Sequence, residues 1–138
     1  MTLLKPLLVA AMLTTPALAD EDLVAEAITD YMDFTTYESG IILPAQLEKD
    51  VFEAATFVDT RDAEQFEAAH IPGSQHIEWR EIPARLDELP ESGLVVLYCN
   101  TGTLSAQATF AARLMGRDNV VVLQTGMIGW QQTAAYKP

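Results

Sequence analysis

The chain alternates short apolar runs with segments whose apolar residues recur at helical spacing. The strongest run is residues 94–98 (LVVLY), which is apolar on both faces and therefore predicts a central parallel strand. The runs that predict strands lie at residues 41–43, 56–59, 74–77, 94–98 and 120–123. The segments that predict helices lie at residues 22–34, 44–52, 82–89, 103–115 and 127–135, with one more helix after residue 62. Strands that alternate with helices predict the α/β class, a sandwich around a mostly parallel sheet of about five strands.

Two helix starts carry local signals. Pro44 suits the first turn of a helix over residues 44–52, because its fixed φ is helical and its missing N–H would have no partner there. Asp62 is an N-cap residue, and Gln65 stands three positions later in the spacing of a capping box. We therefore expect helices to begin at these two points.

The first residues have the order of a secretory signal peptide over residues 1–19. Lys5 and the α-amino group form a charged start, residues 7–13 (LLVAAML) form a short apolar core, and residues 17–19 (ALA) form an A-x-A cleavage site. Cleavage there leaves 7 of the 8 basic residues against all 20 acidic residues. We expect a soluble exported protein, periplasmic in a bacterium, in which residues 20–40 form an acidic helical extension.

The composition narrows the functional classes further. Of the 138 residues, 49 % are hydrophobic and 20 % charged, which is globular rather than disordered composition. The net charge of −12 and the lack of a basic run argue against a nucleic-acid partner. One cysteine and two histidines exclude an internal disulfide and a four-ligand Cys/His zinc site, and no organic cofactor motif is present. No apolar stretch reaches about 18 residues, so we expect no stable membrane insertion.

The lone cysteine, Cys99, follows the predicted central strand directly and stands a short polar loop before a helix. Open α/β sheets bind ligands at the carboxyl ends of their strands. A tight loop there turns backbone N–H groups inward, and the next helix adds partial positive charge, so the thiolate is favoured over the thiol. Gly102 permits the sharp turn. We expect Cys99 to be an accessible nucleophile in an anion-binding loop that consists of Asn100, Thr101, Gly102, Thr103 and Leu104.

Other interpretations of Cys99 stay open or are disfavoured. A buried structural cysteine is the plain alternative, because free cysteine is among the most buried residue types. A cysteine phosphatase is disfavoured, since the next arginine is Arg113, well inside the following helix, and a phosphate dianion would lack its bidentate clamp. A thiol redox sensor is weakened because the chain has no second cysteine to resolve a sulfenic acid.

Three further polar residues have structural interpretations. Asp59 ends a predicted strand, where its carboxylate can accept backbone N–H bonds, and Arg61 can pair with a carboxylate. His70 stands beside a Pro-Gly turn, where we expect its ring to pack and to hydrogen-bond locally rather than act as a general base. We therefore assign structural support to all three.

Four segments, in order along the chain, resemble motifs of the rhodanese family. Residues 57–61 (FVDTR) resemble the V-D-x-R motif, and residues 70–74 (HIPGS) resemble the H-I-P-G-A turn. Residues 95–105 resemble the strand and the six-residue active-site loop that begins with the nucleophilic cysteine. Residues 125–130 (TGMIGW) resemble the closing G-G-x-x-x-W. Each motif alone is modest, but the ordered set is specific.

The resemblance implies a rhodanese-like three-layer sandwich over residues 41–138 and sulfurtransferase chemistry. The Cys99 thiolate would attack the sulfane sulfur of a donor, form a persulfide, and pass the sulfur to a thiol or to cyanide. The implied partners are a small sulfur donor or a protein persulfide, with a periplasmic protein as a possible partner. No metal or cofactor is implied.

The chain departs from the family pattern in its active-site loop. Many members have arginine at the sixth loop position, where this chain has Leu104, and the fifth position is Thr103. A loop without a cation in an acidic protein attracts thiosulfate poorly, which favours a neutral or protein-bound persulfide as donor. The same neutral loop motivates the alternative function, a catalytically weak rhodanese-like binding or regulatory module. Thr125 also replaces the first glycine of the closing motif.

Overall fold

Five parallel strands form the centre of the protein in a computed structural model that describes residues 21–138. The strands are β1 (Ile41–Ile42), β2 (Thr56–Asp59), β3 (Gln75–His76), β4 (Val95–Tyr98) and β5 (Val120–Leu123). Their order in the sheet is β1-β5-β4-β2-β3, and every neighbouring pair is parallel. The predicted α/β class and the parallel sheet of about five strands are confirmed, with β4 at the centre.

Helices and 3₁₀ segments connect the strands. The α-helices are α1 (Glu21–Phe34), α2 (Lys49–Ala54), α3 (Ala63–Ala68), α4 (Thr103–Leu114) and α5 (Gly126–Thr133), and the 3₁₀ segments are Pro44–Gln46 and Trp79–Glu88. Among the residues described, none of these helices has the length and apolar character needed to cross a membrane. The predicted signal peptide, residues 1–19, lies outside the described residues.

The sheet separates two hydrophobic cores. Val96 and Tyr98 of β4 pack into one core together with residues of α2 and α5, whereas Val95 and Leu97 pack into the other core together with residues of α4 and of the 3₁₀ segment Trp79–Glu88. All four side chains are fully buried. Because successive side chains of a strand point to opposite faces, a strand buried on both sides must be apolar throughout. This layering agrees with the predicted three-layer sandwich.

Two predicted helices differ in the structure. The helix expected over residues 44–52 is broken, because Leu47 leaves the helical conformation (ψ 64°) and its side chain is fully buried in the core. The helix expected over residues 82–89 is the longer 3₁₀ segment Trp79–Glu88, which starts where the Glu78 carboxylate accepts a hydrogen bond from the Arg80 N–H. Burial of the Leu47 side chain accompanies the first difference, and the hydrogen bond to the Glu78 carboxylate accompanies the earlier start of the second.

Helix α3 begins as predicted. Asp62 precedes it in an extended conformation, and its Oδ1 accepts a hydrogen bond of 2.8 Å from the N–H of Gln65. This hydrogen bond holds the pKa of the Asp62 carboxyl below its usual value, because it stabilises the charged form. The cap fixes the direction in which the chain leaves β2.

Helix α1 lies on the outside of the domain. Its strongest contact is with α4, where the rings of Tyr31 and Phe110 meet edge to face with centroids 5.2 Å apart. The Arg113 Nε–H also donates to the Tyr31 hydroxyl at 3.1 Å. Arg113 is therefore used in attaching α1 to α4.

Tyr98 connects β4 to the turn at residues 71–74. Its hydroxyl accepts a hydrogen bond of 3.0 Å from the Ile71 N–H and donates one of 2.9 Å to the Ser74 Oγ. Burial raises the pKa of Tyr98 above its usual value, so the hydroxyl stays a donor across the physiological range. These bonds place the residue before Cys99 in a fixed position.

We expect Tyr98→Phe to lower the free energy of unfolding by about 1–3 kcal/mol, because it leaves the buried Ile71 N–H without its acceptor. Tyr37→Phe is the matched control, since the Tyr37 side chain is 99 % exposed. Urea denaturation of both variants measures the difference. Equal stability of the two variants would show that the Tyr98 hydroxyl contributes nothing.

Candidate active site

Cys99 is the first residue after β4, at the carboxyl end of the central strand of the sheet. Helix α4 starts four residues later at Thr103, so residues 99–102 form a single tight turn. Gly102 makes this turn possible: its φ is +92°, and a β-carbon there would lie 3.2 Å from the Leu123 carbonyl oxygen. The structure thus has the predicted order of strand, cysteine, loop and helix.

The cysteine sulfur receives hydrogen bonds from the loop and from α4. The Gly102 N–H lies 3.2 Å from Sγ, and the Ser105 hydroxyl lies 3.5 Å from it. Burial on its own raises the pKa of the Cys99 thiol. The Ser105 hydroxyl and the nearby N–H groups of Ser105, Thr101 and Leu104 outweigh burial, so the pKa of Cys99 lies below its usual value. The arrangement favours a nucleophilic thiolate.

The sulfur is recessed rather than open, which corrects the expectation of an accessible thiol. Only 3 % of Cys99 is exposed. It forms part of the wall of a cavity of about 420 Å³, whose lining comes from residues 60–62, 65, 78–80, 99–101 and 104. Because the loop folds back over Sγ to make its hydrogen bonds, the same contacts that lower the thiol pKa also cover the sulfur. A reagent therefore reaches Cys99 through this cavity.

Asp59 and Arg61 form a buried ion pair beside the loop. The Arg61 Nη2 lies 2.5 Å from the Asp59 Oδ2, and the Arg61 Nε donates to both carboxylate oxygens. These contacts raise the pKa of Arg61 above its usual value. The Arg61 Nη1 then donates to the Asn100 Oδ1 at 3.2 Å. The pair thus holds the residue next to the cysteine.

Asn100 is held from a second direction by α3. Its Nδ2 donates to the Gln65 Oε1 at 2.5 Å, and the Gln65 Nε2 donates to the Asp62 Oδ2 at 2.5 Å. Arg61 therefore binds the oxygen of the Asn100 amide, and Gln65 binds its nitrogen. A chain of side-chain hydrogen bonds joins the end of β2 and the start of α3 to the loop.

His70 lies outside the lining of the cavity. Its Nδ1 is 2.8 Å from the Phe66 carbonyl oxygen, and its ring stacks on the Phe66 ring with centroids 4.1 Å apart. The His76 ring also stacks on the Phe66 ring. The His76 Nε2 lies 2.7 Å from the Arg61 carbonyl oxygen. The structure brings neither imidazole into the cavity lining beside Cys99.

The closing motif contacts the backbone of the loop. The N–H groups of Met127 and Ile128 donate to the carbonyl oxygens of Cys99 (2.8 Å) and Asn100 (3.1 Å). Gly126 must be a glycine, since a β-carbon there would lie 2.3 Å from the Cys99 carbonyl oxygen. Thr125 keeps the left-handed conformation that glycine usually adopts, with a φ of 66°.

The structure adds seven residues that sequence reasoning did not place in the site, and three of them, Thr60, Asp62 and Gln65, line the cavity from the end of β2 to helix α3. Ser105 bonds to the sulfur, and Glu78, Trp79 and Arg80 form one side of the cavity. Ser105 directly follows the loop and lies in the first turn of α4, so its position beside the loop can be inferred from the sequence. Glu78, Trp79 and Arg80 stand 19 or more positions before Cys99 in a segment without a motif, so only the fold brings them near. Two arginines, Arg61 and Arg80, thus line the cavity although the loop itself has no cation.

The sequence model of the rhodanese-like domain matches residues 43–133 of this chain. The match covers well over half of the 138 residues, and it includes the loop and the cavity described above. This chain therefore belongs to the rhodanese-like domain family, which confirms the resemblance seen in its sequence.

Relatives with sulfur-related names match the chain at modest identity. It is 33 % identical over 78 residues to a putative sulfur carrier protein, YrkF, of Bacillus subtilis, covering 56 % of this chain and 42 % of that protein. It is 32 % identical over 78 residues to a sulfurtransferase of Allochromatium vinosum, covering 56 % and 73 % respectively. The chain spans less than half the length of YrkF. At the level of the family, these relatives support sulfurtransferase-like activity.

Solved structures share the fold. A rhodanese-related protein from Thermoplasma volcanium superposes with a TM-score of 0.60 at 24 % identity, covering 66 % of this chain and 89 % of that one. A Rhodopseudomonas palustris protein described as of unknown function and a possible tyrosine phosphatase has a TM-score of 0.60 at 22 % identity, covering 93 % and 100 %. At these identities the likeness shows the fold alone.

We expect alkylation of Cys99 by iodoacetamide to rise with pH and to reach half its maximum at a lower pH than alkylation of the urea-unfolded chain. The reason is that the folded loop lowers the thiol pKa, and only the thiolate reacts. Cys99 is the lone cysteine, so the unfolded chain is its own control. A higher midpoint in the folded protein would contradict the hydrogen-bonded thiolate.

Proposed function

We propose that this protein is an exported sulfurtransferase that carries a sulfane sulfur as a persulfide on Cys99. The observation that carries the proposal is a recessed sulfur that accepts hydrogen bonds from the Gly102 N–H and the Ser105 hydroxyl at the wall of a cavity. A thiolate held in this way is a nucleophile for sulfane sulfur. The names of the relatives in Bacillus subtilis and Allochromatium vinosum support the same chemistry.

The reaction has two half-reactions. In loading, the Cys99 thiolate attacks the sulfane sulfur of the donor, a new S–S bond forms, and the donor's leaving group departs with the electron pair of the broken bond. In discharge, an acceptor thiolate or cyanide attacks the outer sulfur of the persulfide, and the Cys99 thiolate is regenerated. The outer sulfur carries the negative charge between these steps, and main-chain N–H groups of residues 100–104 stabilise it by the logic of an oxyanion hole.

The charges of the cavity favour a neutral or protein-borne persulfide over thiosulfate as donor. Arg61 pairs with Asp59, and the Arg80 Nε lies 3.1 Å from a carboxylate oxygen of Glu78. Each arginine in the lining is thus already neutralised by an acidic partner. The chain as a whole carries a charge of −12, which repels a dianion further.

We expect incubation with a polysulfide to add one sulfur atom, about 32 Da, to the wild-type protein, because the thiolate of Cys99 takes up sulfane sulfur. Cys99→Ser is expected to gain no such mass and to have no transfer activity to cyanide. Intact-protein mass spectrometry and thiocyanate release measure the two results. Undiminished transfer by Cys99→Ser would end the proposal that this residue carries the sulfur.

Export is tested on the expressed protein. In a Gram-negative host, we expect the full-length chain to appear in the periplasmic fraction with Asp20 as its first residue, because an A-x-A site precedes it. N-terminal sequencing of the fractionated protein measures this. Protein that stays in the cytoplasm with Lys5 retained would contradict export.

A further inference from the structure

Ser105 is the third residue of α4 and is fully buried. Its Oγ lies 3.5 Å from the Cys99 Sγ and 3.2 Å from the Gly102 carbonyl oxygen. A hydroxyl has one proton, so it donates a full hydrogen bond to one of these two acceptors at a time. The partner of Ser105 therefore depends on which acceptor carries more negative charge.

The charge on Sγ differs between the two states of the proposed cycle. In the resting thiolate the charge lies on Sγ, and a hydrogen bond to an ionised acceptor is about twice as strong as a neutral one. In the persulfide the charge lies on the outer sulfur, and Sγ is a neutral, weak acceptor. The Ser105 proton then has its better partner in the Gly102 carbonyl oxygen, so the hydroxyl stabilises the thiolate more than the persulfide.

We infer that Ser105 is a catalytic residue of the discharge half-reaction, in which its hydroxyl stabilises the Cys99 thiolate as the leaving group; this inference rests on the proposed function. With cyanide as acceptor, the cyanide carbon attacks the outer sulfur, a C–S bond forms and the Sγ–S bond breaks. The electron pair of that bond stays on Sγ, and thiocyanate leaves. The Ser105 O–H rotates from the Gly102 carbonyl oxygen toward Sγ and keeps its proton throughout.

A residue that stabilises the thiolate more than the persulfide changes the rates of the two half-reactions in opposite directions. Removing the hydroxyl makes the thiolate a poorer leaving group, which slows discharge. It also leaves the thiolate less stabilised and more nucleophilic, so loading at a pH above the thiol pKa is not slowed. A role confined to the shape of the loop would slow both half-reactions together.

The experiment compares Ser105→Ala with Thr109→Val in single-turnover kinetics. Thr109 lies one turn further along α4, is also buried, and its hydroxyl has no hydrogen-bond partner, so its removal is a matched control. Each protein is loaded with polysulfide and discharged with cyanide at a pH above the thiol pKa. We expect Ser105→Ala to discharge about 3- to 10-fold more slowly than wild type with undiminished loading, and Thr109→Val to stay within about twofold in both.

Unchanged discharge by Ser105→Ala, or an equal slowing of loading and discharge, would overturn the inference. If Ser105→Ala does not fold, Ser105→Thr, which keeps the hydroxyl, is compared with Ser105→Val, which has the same shape without it. Slower discharge by Ser105→Val is expected, and equal discharge by the two variants would overturn the inference. The pH midpoint of iodoacetamide alkylation is a readout that needs no sulfur transfer: a raised midpoint in Ser105→Ala shows the hydrogen bond itself. A wild-type protein that never loads sulfur would overturn the proposed function, and with it the role in discharge, even where this midpoint moves.

Discussion

The site depends on the direction of two peptide groups in the loop after β4. The carbonyl oxygens of Cys99 and Asn100 point to the start of α5, where the N–H groups of Met127 and Ile128 bind them. The N–H of Thr101 shares a peptide group with the Asn100 carbonyl and points the opposite way, toward the sulfur. The next N–H, that of Gly102, lies 3.2 Å from Sγ. The closing motif of the sequence therefore acts on the chemistry without contacting the sulfur, through the backbone that it anchors.

The opposite side of the loop is held by side chains instead of backbone. A buried ion pair is a costly way to stabilise a fold, since both charges lose their hydration. Asp59 and Arg61 offset part of that cost with several hydrogen bonds, and Arg61 uses a remaining donor to hold Asn100. The pair sets the position of the loop relative to β2. This gives the V-D-x-R segment a structural role.

The sequence predicts the order of the elements and the position of Cys99 well, because strand β4 and helix α4 follow from local periodicity. It does not predict the break at Leu47. There the helix that Pro44 predicts is interrupted because the Leu47 side chain is buried in the core. Nor does it predict the depth of the sulfur or the wall formed by Glu78 and Arg80. Both depend on contacts between segments far apart in the chain, and a local sequence pattern carries no information about such contacts.

A recessed sulfur in a chain with a single cysteine limits the chemistry that can follow. Sulfur bound to Cys99 cannot be removed by a second thiol of the same chain, since no other cysteine exists in the sequence. In the proposed sulfur transfer, the acceptor therefore comes from another molecule and enters the cavity of about 420 Å³ beside Glu78 and Arg80. Burial on its own raises the pKa of the Cys99 thiol, whereas the hydrogen bonds to Sγ lower it, so a covered sulfur still favours the reactive thiolate.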